Sequence, residues 1–278
     1  MKVMILGATG LLGQTLMREW DGDEVVGLGR EDVDIRNANR IREIVEKAQP
    51  DWIVLVAAYT DVDGCESNQD LAFAVNRDGA VQVARAAKRV GAKLLFLSSD
   101  YVFDGEKYSP YEIGDARNPQ SVYGRTKAEA EIQLLEVLPG CCIVRTAWLF
   151  GIGGKCFPDT ILKLAASRPA LDVVNDQRGC PTYSVDLARA IIQLCRSGAN
   201  GMVHVTNSGD CSWFEFAREI VKRAGLPVEV RPVSSQQMVR PAPRPAYSVL
   251  SGKSLQAIGI ALPAWQDALA RYLEERKG

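Results

Sequence analysis

Short apolar runs alternate with helical periodicities through the first half of the chain. Lys2–Leu6 and Glu24–Leu28 are strand-like, and Trp52–Ala58 is a continuous apolar run of the kind buried on both faces of a sheet. Lys93–Ser98 and Cys141–Arg145 repeat the pattern. Between these runs, helical patterns cover Leu11–Trp20, Arg40–Ala48, Gln69–Val90 and Ser121–Val137. Pro50 stops the second of these helices and Gly91 the third. Strand and helix in alternation predict an α/β fold: a doubly wound parallel sheet covered on both faces.

After about residue 150 the rhythm loosens. Phe157–Ser167, Tyr183–Arg196, Ser212–Ala224 and Trp265–Lys277 read as helices, and Met202–Thr206 as a strand. The proline-rich stretch Arg240–Pro245 excludes helix and central strand. We expect a sheet domain over 1–150 and a smaller capping lobe over 151–278, with interleaving of the two left open.

The 278 residues suffice for one large α/β domain, or one with a smaller lobe. Charges nearly cancel, 33 Lys+Arg against 34 Asp+Glu, so there is no basic footprint for nucleic acid. No apolar run is long enough to cross a bilayer and no signal-peptide layout opens the chain, which predicts a cytoplasmic protein without membrane contact. The seven cysteines include no C-x-x-C pair. Neither a zinc site nor a disulfide framework is expected, and free buried thiols in a reducing compartment fit better. His204, the only histidine, lies in an apolar run and reads as a structural imidazole, which disfavours hydrolytic triads.

Chemistry enters with Gly7, Gly10 and Gly13, between the first strand and the first helix. Glycine there lets the backbone approach a pyrophosphate, and the helix N-terminus adds N–H donors and a favourable dipole. Where an NAD site usually carries a carboxylate for the ribose, this chain has Gly29 and Arg30. An arginine there can accept a 2′-phosphate, so NADPH is favoured, with NADH left open by the nearby Glu31, Asp32 and Asp34. Tyr123 and Lys127, four residues apart, share one helix face. A lysine cation beside a phenol lowers its pKa and suits it to exchange a proton with a substrate oxygen. Asn76 falls mid-helix, where asparagine has poor propensity.

The G-x-x-G-x-x-G turn and the Y-x-x-x-K pair are both found in the short-chain dehydrogenases, and longer segments narrow the resemblance. Ser98–Gly105 matches S-T-D-Y-V-F-D-G, with Ser99 in place of threonine. Pro119–Lys127 matches P-x-x-x-Y-G-x-T-K, and Asp176–Thr182 matches D-Q-x-G-x-P-T. With Ala57–Asp63 and Arg145–Trp148, these segments resemble the dTDP-4-dehydrorhamnose reductases, an extended branch of that superfamily, through most of the chain.

The resemblance implies a Rossmann-like NAD(P)-binding domain followed by a substrate-binding lobe. It implies NADPH-dependent reduction of dTDP-4-dehydro-L-rhamnose (dTDP-6-deoxy-L-lyxo-4-hexulose) to dTDP-L-rhamnose. Tyr123 would be the general acid. Lys127 would hold the nicotinamide ribose and tune the phenol, and Ser99 would hydrogen-bond the substrate oxygen. Val62, Asp100 and Trp148 would line the sugar site. Gly10, Leu11 and Leu12 would lie at the pyrophosphate turn. Asp34 and Ile35 would flank the adenine, and Ala58, Tyr59 and Thr60 the cofactor ribose and nicotinamide side. The implied partner is a dTDP-linked 4-keto-6-deoxy sugar; a homodimer is compatible, and no metal-ligand constellation is identified. Two alternatives share the scaffold: a related sugar-nucleotide 4-ketoreductase or epimerase, and a non-catalytic cofactor-binding protein resembling the regulatory subunit of methionine adenosyltransferase. Tyr123, Lys127, Ser99 and Asp100 together favour an enzyme.

Overall fold

The apolar runs become the strands of one parallel sheet in the computed structural model, which describes residues 1–277. Strands β1 (Lys2–Leu6), β2 (Glu24–Leu28), β3 (Trp52–Leu55), β4 (Lys93–Ser99) and β5 (Cys142–Thr146) are joined by an edge strand, Gly201–His204. The order is β2-β1-β3-β4-β5-edge, with every neighbouring pair parallel. All four residues of β3 are buried, which is why it shows no alternation.

Successive side chains of each strand point to opposite faces. Val3 and Ile5 pack under the helices Leu11–Glu19 and Ser184–Ser197. Met4 and Leu6 pack under Ala38–Ala48, Ala80–Val90 and Val122–Val137. Strand order reverses between β1 and β3, and the crevice outside the carboxyl ends there is where such sheets bind ligands.

Two local expectations change. The helix expected over Gln69–Val90 is divided: α-helical Gln69–Phe73 and Ala80–Val90 flank a π-helical segment, Ala74–Gly79. That wide turn carries the buried Asn76, whose side-chain oxygen accepts from Tyr59 N at 2.7 Å. Its amide donates to Tyr59 O at 3.0 Å and to Thr126 Oγ1 at 3.1 Å. The strand expected to run to Ala58 ends at Leu55, because Val56 and Ala57 both turn their N–H groups to Leu6 O.

Beyond β5 a separate core forms around Phe150, Ile161, Leu171, Phe216, Trp265 and Tyr272. The chain does not stay there. The helix Ser184–Ser197 returns to cover one sheet face, and Gly201–His204 pairs with β5. The stretch Arg240–Pro245 forms a strap without regular structure, and just beyond it Tyr247 N donates to Gly105 O at 3.2 Å.

His204 ends the edge strand, buried, with Nε2 3.4 Å from Arg145 Nη1. Burial first, and the Arg145 charge second, push its pKa down to about 3, against the weaker pull of Glu112 and Asp115. The folded protein keeps the ring neutral, whereas the unfolded chain binds a proton below about pH 6.5. This contribution to stability is therefore complete above about pH 6.5 and is lost as pH falls toward the folded value, by up to about 1.4 kcal/mol per pH unit. His204→Gln is expected to flatten that part of the stability curve in urea titrations run across mildly acidic pH. A mutant slope equal to the wild-type slope would exclude the imidazole as its source.

Candidate active site

Glycine geometry builds one side of the site. Gly7 has φ +98°, and a Cβ on it would lie 2.6 Å from Ala57 N. A Cβ on Gly13 would lie 2.1 Å from Gly7 O. Gly10 caps the Leu11–Glu19 helix without any side-chain hydrogen bond. The first-turn N–H groups of Leu11, Leu12 and Gly13 thus have no acceptor within the helix, an arrangement suited to phosphate.

At the end of β2, Arg30 is exposed. Asp34 is committed elsewhere: Arg36 Nε donates to both of its oxygens, at 3.0 and 2.9 Å, and this pairing holds the carboxyl below its ordinary value. Ile35 is buried, and a Cβ on Gly79 would lie 2.8 Å from it. Ala58, Tyr59 and Thr60 form the loop after β3, its backbone fixed at Tyr59 by Asn76. Val62 opens a short helix, Val62–Ser67, whose N-cap Asp61 accepts from Gly64 N at 2.9 Å.

The Val122–Val137 helix carries the other side. Ser121 caps it by accepting from Gly124 N at 3.1 Å. A Cβ on Gly124 would lie 2.2 Å from Tyr101 O, so glycine there lets the helix close on the loop after β4. The Tyr123 and Tyr101 rings meet edge to face at 5.6 Å. Ser99 Oγ donates to Asp100 Oδ1 at 2.9 Å and accepts from Tyr101 N at 3.2 Å. Ser99, rather than Asp100, is thus the cap of the turn after β4. Asp100 is 2% exposed, and its Oδ2 has no partner. Burial pushes its carboxyl up to about 6.

Tyr123 and Lys127 share the helix face, but their electrostatics differ from the expectation. The phenol is driven up, by burial first and the Asp100 charge second, with the Ser99 hydroxyl opposing. Lys127 does not depress it. The Lys127 ammonium turns to Leu97 O at 2.6 Å and lies 4.1 Å from the Phe96 ring centroid. It is almost fully buried, which pushes its pKa down to about 7, while Glu131 pulls the other way. A four-residue spacing brings two side chains to one face; it does not decide which acceptor the longer one reaches.

Trp148 lies at φ +47°, stacked on Trp213 with centroids 3.4 Å apart and planes at 6°. Residues outside the expected set also reach the cleft. Arg244 Nη1 donates to Asp63 Oδ1 at 2.6 Å, and Arg240 Nη1 lies 3.6 Å from Asp63 Oδ2. The strap thus brings two guanidiniums against the Asp63 carboxylate. The sequence shows the strap as a pair of arginines among prolines.

Known proteins are similar to this chain over nearly its full length. The family of the RmlD substrate binding domain matches residues 1–277. The chain is 42% identical over 282 residues to dTDP-4-dehydrorhamnose reductase of Mycobacterium tuberculosis, covering 98% of this chain and 92% of the relative. A dTDP-4-dehydrorhamnose reductase crystal structure from Clostridium acetobutylicum superposes with a TM-score of 0.98, at 38% identity and with 100% of both chains covered. One from Bacillus anthracis, in complex with NADP, gives a TM-score of 0.96 at 38% identity, covering 99% of this chain and 100% of the other. The glycine turn, the Tyr123–Lys127 helix and these full-length matches agree, and the chain belongs to the dTDP-4-dehydrorhamnose reductase family.

Proposed function

We propose that this protein is an NADPH-dependent oxidoreductase that reduces dTDP-4-dehydro-L-rhamnose to dTDP-L-rhamnose. The observation that carries the reading is the meeting of Tyr123, Ser99 and the unpartnered carboxylate oxygen of Asp100 beside the glycine turn at the carboxyl ends of β1 and β4. The turn suits a dinucleotide, since backbone contact alone fixes Gly7 and Gly13 and no side-chain hydrogen bond caps the helix start. Arg30 is the residue to meet a 2′-phosphate, and Asp34, tied to Arg36, is poorly placed to compete for a ribose hydroxyl. Bound there, NADPH supplies a hydride to carbon 4 of the sugar.

The chain's own residues do the rest. Tyr123, with its raised pKa, enters the reaction protonated, the form that reduction needs, and gives its proton to the carbonyl oxygen as negative charge develops there. Ser99 turns its hydroxyl from Asp100 to the same oxygen. Asp100 accepts a sugar hydroxyl at Oδ2, satisfying an otherwise orphaned buried acceptor. Lys127 turns from Leu97 O to hold the nicotinamide ribose. Seven buried, unpaired thiols fit a cytoplasmic setting, and among the described residues no helix is long and apolar enough to cross a membrane.

NADPH oxidation by the purified protein with freshly prepared 4-keto-sugar nucleotides carrying dTDP, UDP, GDP or CDP tests the reading. Turnover is expected with the dTDP sugar, giving the L-rhamno product by NMR. No turnover would refute it, and a different preferred base or product would move it to a related ketoreductase. On this reading Arg240 and Arg244, both beside Asp63, meet the diphosphate. Arg240→Ala is expected to raise KM for the sugar nucleotide about tenfold, as for loss of about 1.5 kcal/mol of charge-assisted contact. The KM for NADPH should not change. A shift in the cofactor KM instead would place Arg240 on the other ligand.

A further inference from the structure

The fully buried pair of Glu131 and Arg145 has no part in the chemistry described above, yet Glu131 sits one helical turn from Lys127. A buried ion pair adds little stability over apolar side chains of the same volume, because desolvation offsets the attraction. Its place beside the site has a different use. Ser98 and Arg145 are register partners on β4 and β5, and both reach the carboxylate. Ser98 Oγ donates to Glu131 Oε1 at 2.6 Å. Arg145 donates from Nε to Oε1 at 2.8 Å and from Nη2 to Oε2 at 2.6 Å. One turn earlier, Lys127 Nζ donates to Leu97 O at 2.6 Å. Two consecutive residues of β4, Leu97 and Ser98, thus anchor Lys127 and Glu131 and tie the helix that carries Tyr123 to the strand.

Lys127 is nearly sealed from water, with one carbonyl acceptor and the Phe96 ring beside its ammonium. An ammonium in such a place gives up its proton unless an opposite charge retains it. Glu131 supplies that charge, against the effect of burial. The charged groups on neighbouring elements are engaged elsewhere. Arg77 pairs with Glu129 at 2.9 Å, and Asp63 with Arg244 at 2.6 Å. Glu66 accepts from Val122 N at 2.8 Å, and Asp100 from Ser99 Oγ at 2.9 Å. Arg85, Lys88 and Arg89 of the Ala80–Val90 helix are exposed to water. Arg117 and Arg145 reach Glu131 itself, at 3.4 and 2.6 Å. One carboxylate therefore serves two cations in the core: the guanidinium it pairs with and the ammonium one turn away.

We propose that Glu131 is a positioning residue for the reaction: clamped by Ser98 and Arg145, its carboxylate keeps Lys127 a cation in the dry core and fixes the helix that carries Tyr123. The inference rests on Lys127 serving the cofactor in the function proposed above. A neutral amine would fill the same space, but it would hold a ribose hydroxyl without the strength of a charge-assisted hydrogen bond.

NMR titration of protein labelled with carbon-13 at lysine Cε, with Lys127→Arg to assign the signal, reads the charge directly. Lys127 is expected to titrate at about 7, and lower still in Glu131→Gln. The charged form exists below the folded pKa, so the loss grows as pH rises. Relative to wild type, NADPH affinity of Glu131→Gln, read by cofactor fluorescence, should be about tenfold lower at pH 8 and within about twofold at pH 5.5. The kcat/KM for the dTDP keto-sugar should show the same pH dependence. Glu131→Met with Arg145→Met, which strands no charge, should keep the fold and still show the pH-dependent loss. Ser98→Ala, which leaves the carboxylate in place, should not show it. If Glu131→Gln does not fold, the double variant and the wild-type lysine titration carry the test. A Lys127 signal that titrates with ordinary lysines at about 10.4 would overturn the role. So would one pH profile shared by the wild type and the double variant, or a loss of equal size at every pH, which would leave Glu131 a purely structural residue. Absence of turnover with every keto-sugar would overturn the assigned substrate, whereas the lysine titration and NADPH affinity need no turnover and decide this inference alone.

Discussion

Tyr123→Phe is expected to lower kcat by about two to four orders of magnitude while NADPH binding stays almost unchanged. The substitution keeps the ring, which packs with Tyr59 and Phe73 against Cys65, Ala72 and Val122 and meets Tyr101 edge to face. Only the hydroxyl goes. A loss of that size corresponds to about 3–5 kcal/mol of transition-state stabilisation, more than one ground-state hydrogen bond contributes. The raised phenol pKa sharpens the expectation, because a group protonated across neutral pH acts as a donor. Stopped-flow single turnovers and a cofactor titration separate the two effects. Unchanged kcat would remove Tyr123 from the chemistry, and a matching loss of NADPH affinity would make it a cofactor contact instead.

Glu131→Ala should be the most destabilising single change near the site, by about 3–5 kcal/mol. Glu131 and Arg145 are both fully buried. Glu131 accepts from Arg145 Nε at 2.8 Å and Nη2 at 2.6 Å, and from Ser98 Oγ at 2.6 Å. Truncation leaves the Arg145 guanidinium in the core with only long contacts, to Ile113 O at 3.4 Å and to His204 at 3.4 Å. Glu131 also ties the Val122–Val137 helix to β4 and β5, so activity should fall with stability. The paired replacement Glu131→Met with Arg145→Met is expected to recover much of the loss, since apolar groups of similar volume avoid the uncompensated charge. Urea unfolding checks both. A single-variant loss below about 1 kcal/mol, or a double variant as unstable as the sum of the singles, would contradict the buried-charge account.

Features carried by local pattern were legible in the sequence. β1 and β3 were visible as apolar runs, and the glycine turn was visible because its chemistry is compressed between Gly7 and Gly13. The cofactor and the family followed from motifs of that kind. What escaped was set by neighbours distant in sequence. The π-helical turn at Ala74–Gly79 leaves no mark in a periodicity, yet it aims Asn76 at Tyr59. The acceptor of Lys127 is a main-chain carbonyl on β4, which no side-chain pattern encodes. Asp63 and Arg244 are separated by 181 positions, and nothing in either segment announces the other. A strand was readable at Met202–Thr206, and the structure has it at Gly201–His204, but its place beside β5 was not readable, because the chain had already left the sheet for the lobe.

That late return has a consequence for how the protein is made. Until residues 201–204 leave the ribosome, β5 presents an open row of amide and carbonyl groups, and the sheet face beneath Ser184–Ser197 is bare. At about 5–20 residues per second, the nascent chain holds this sticky edge for several seconds. The first half therefore cannot mature ahead of the second, and fragments released before the edge strand should aggregate rather than persist as a free dinucleotide-binding unit.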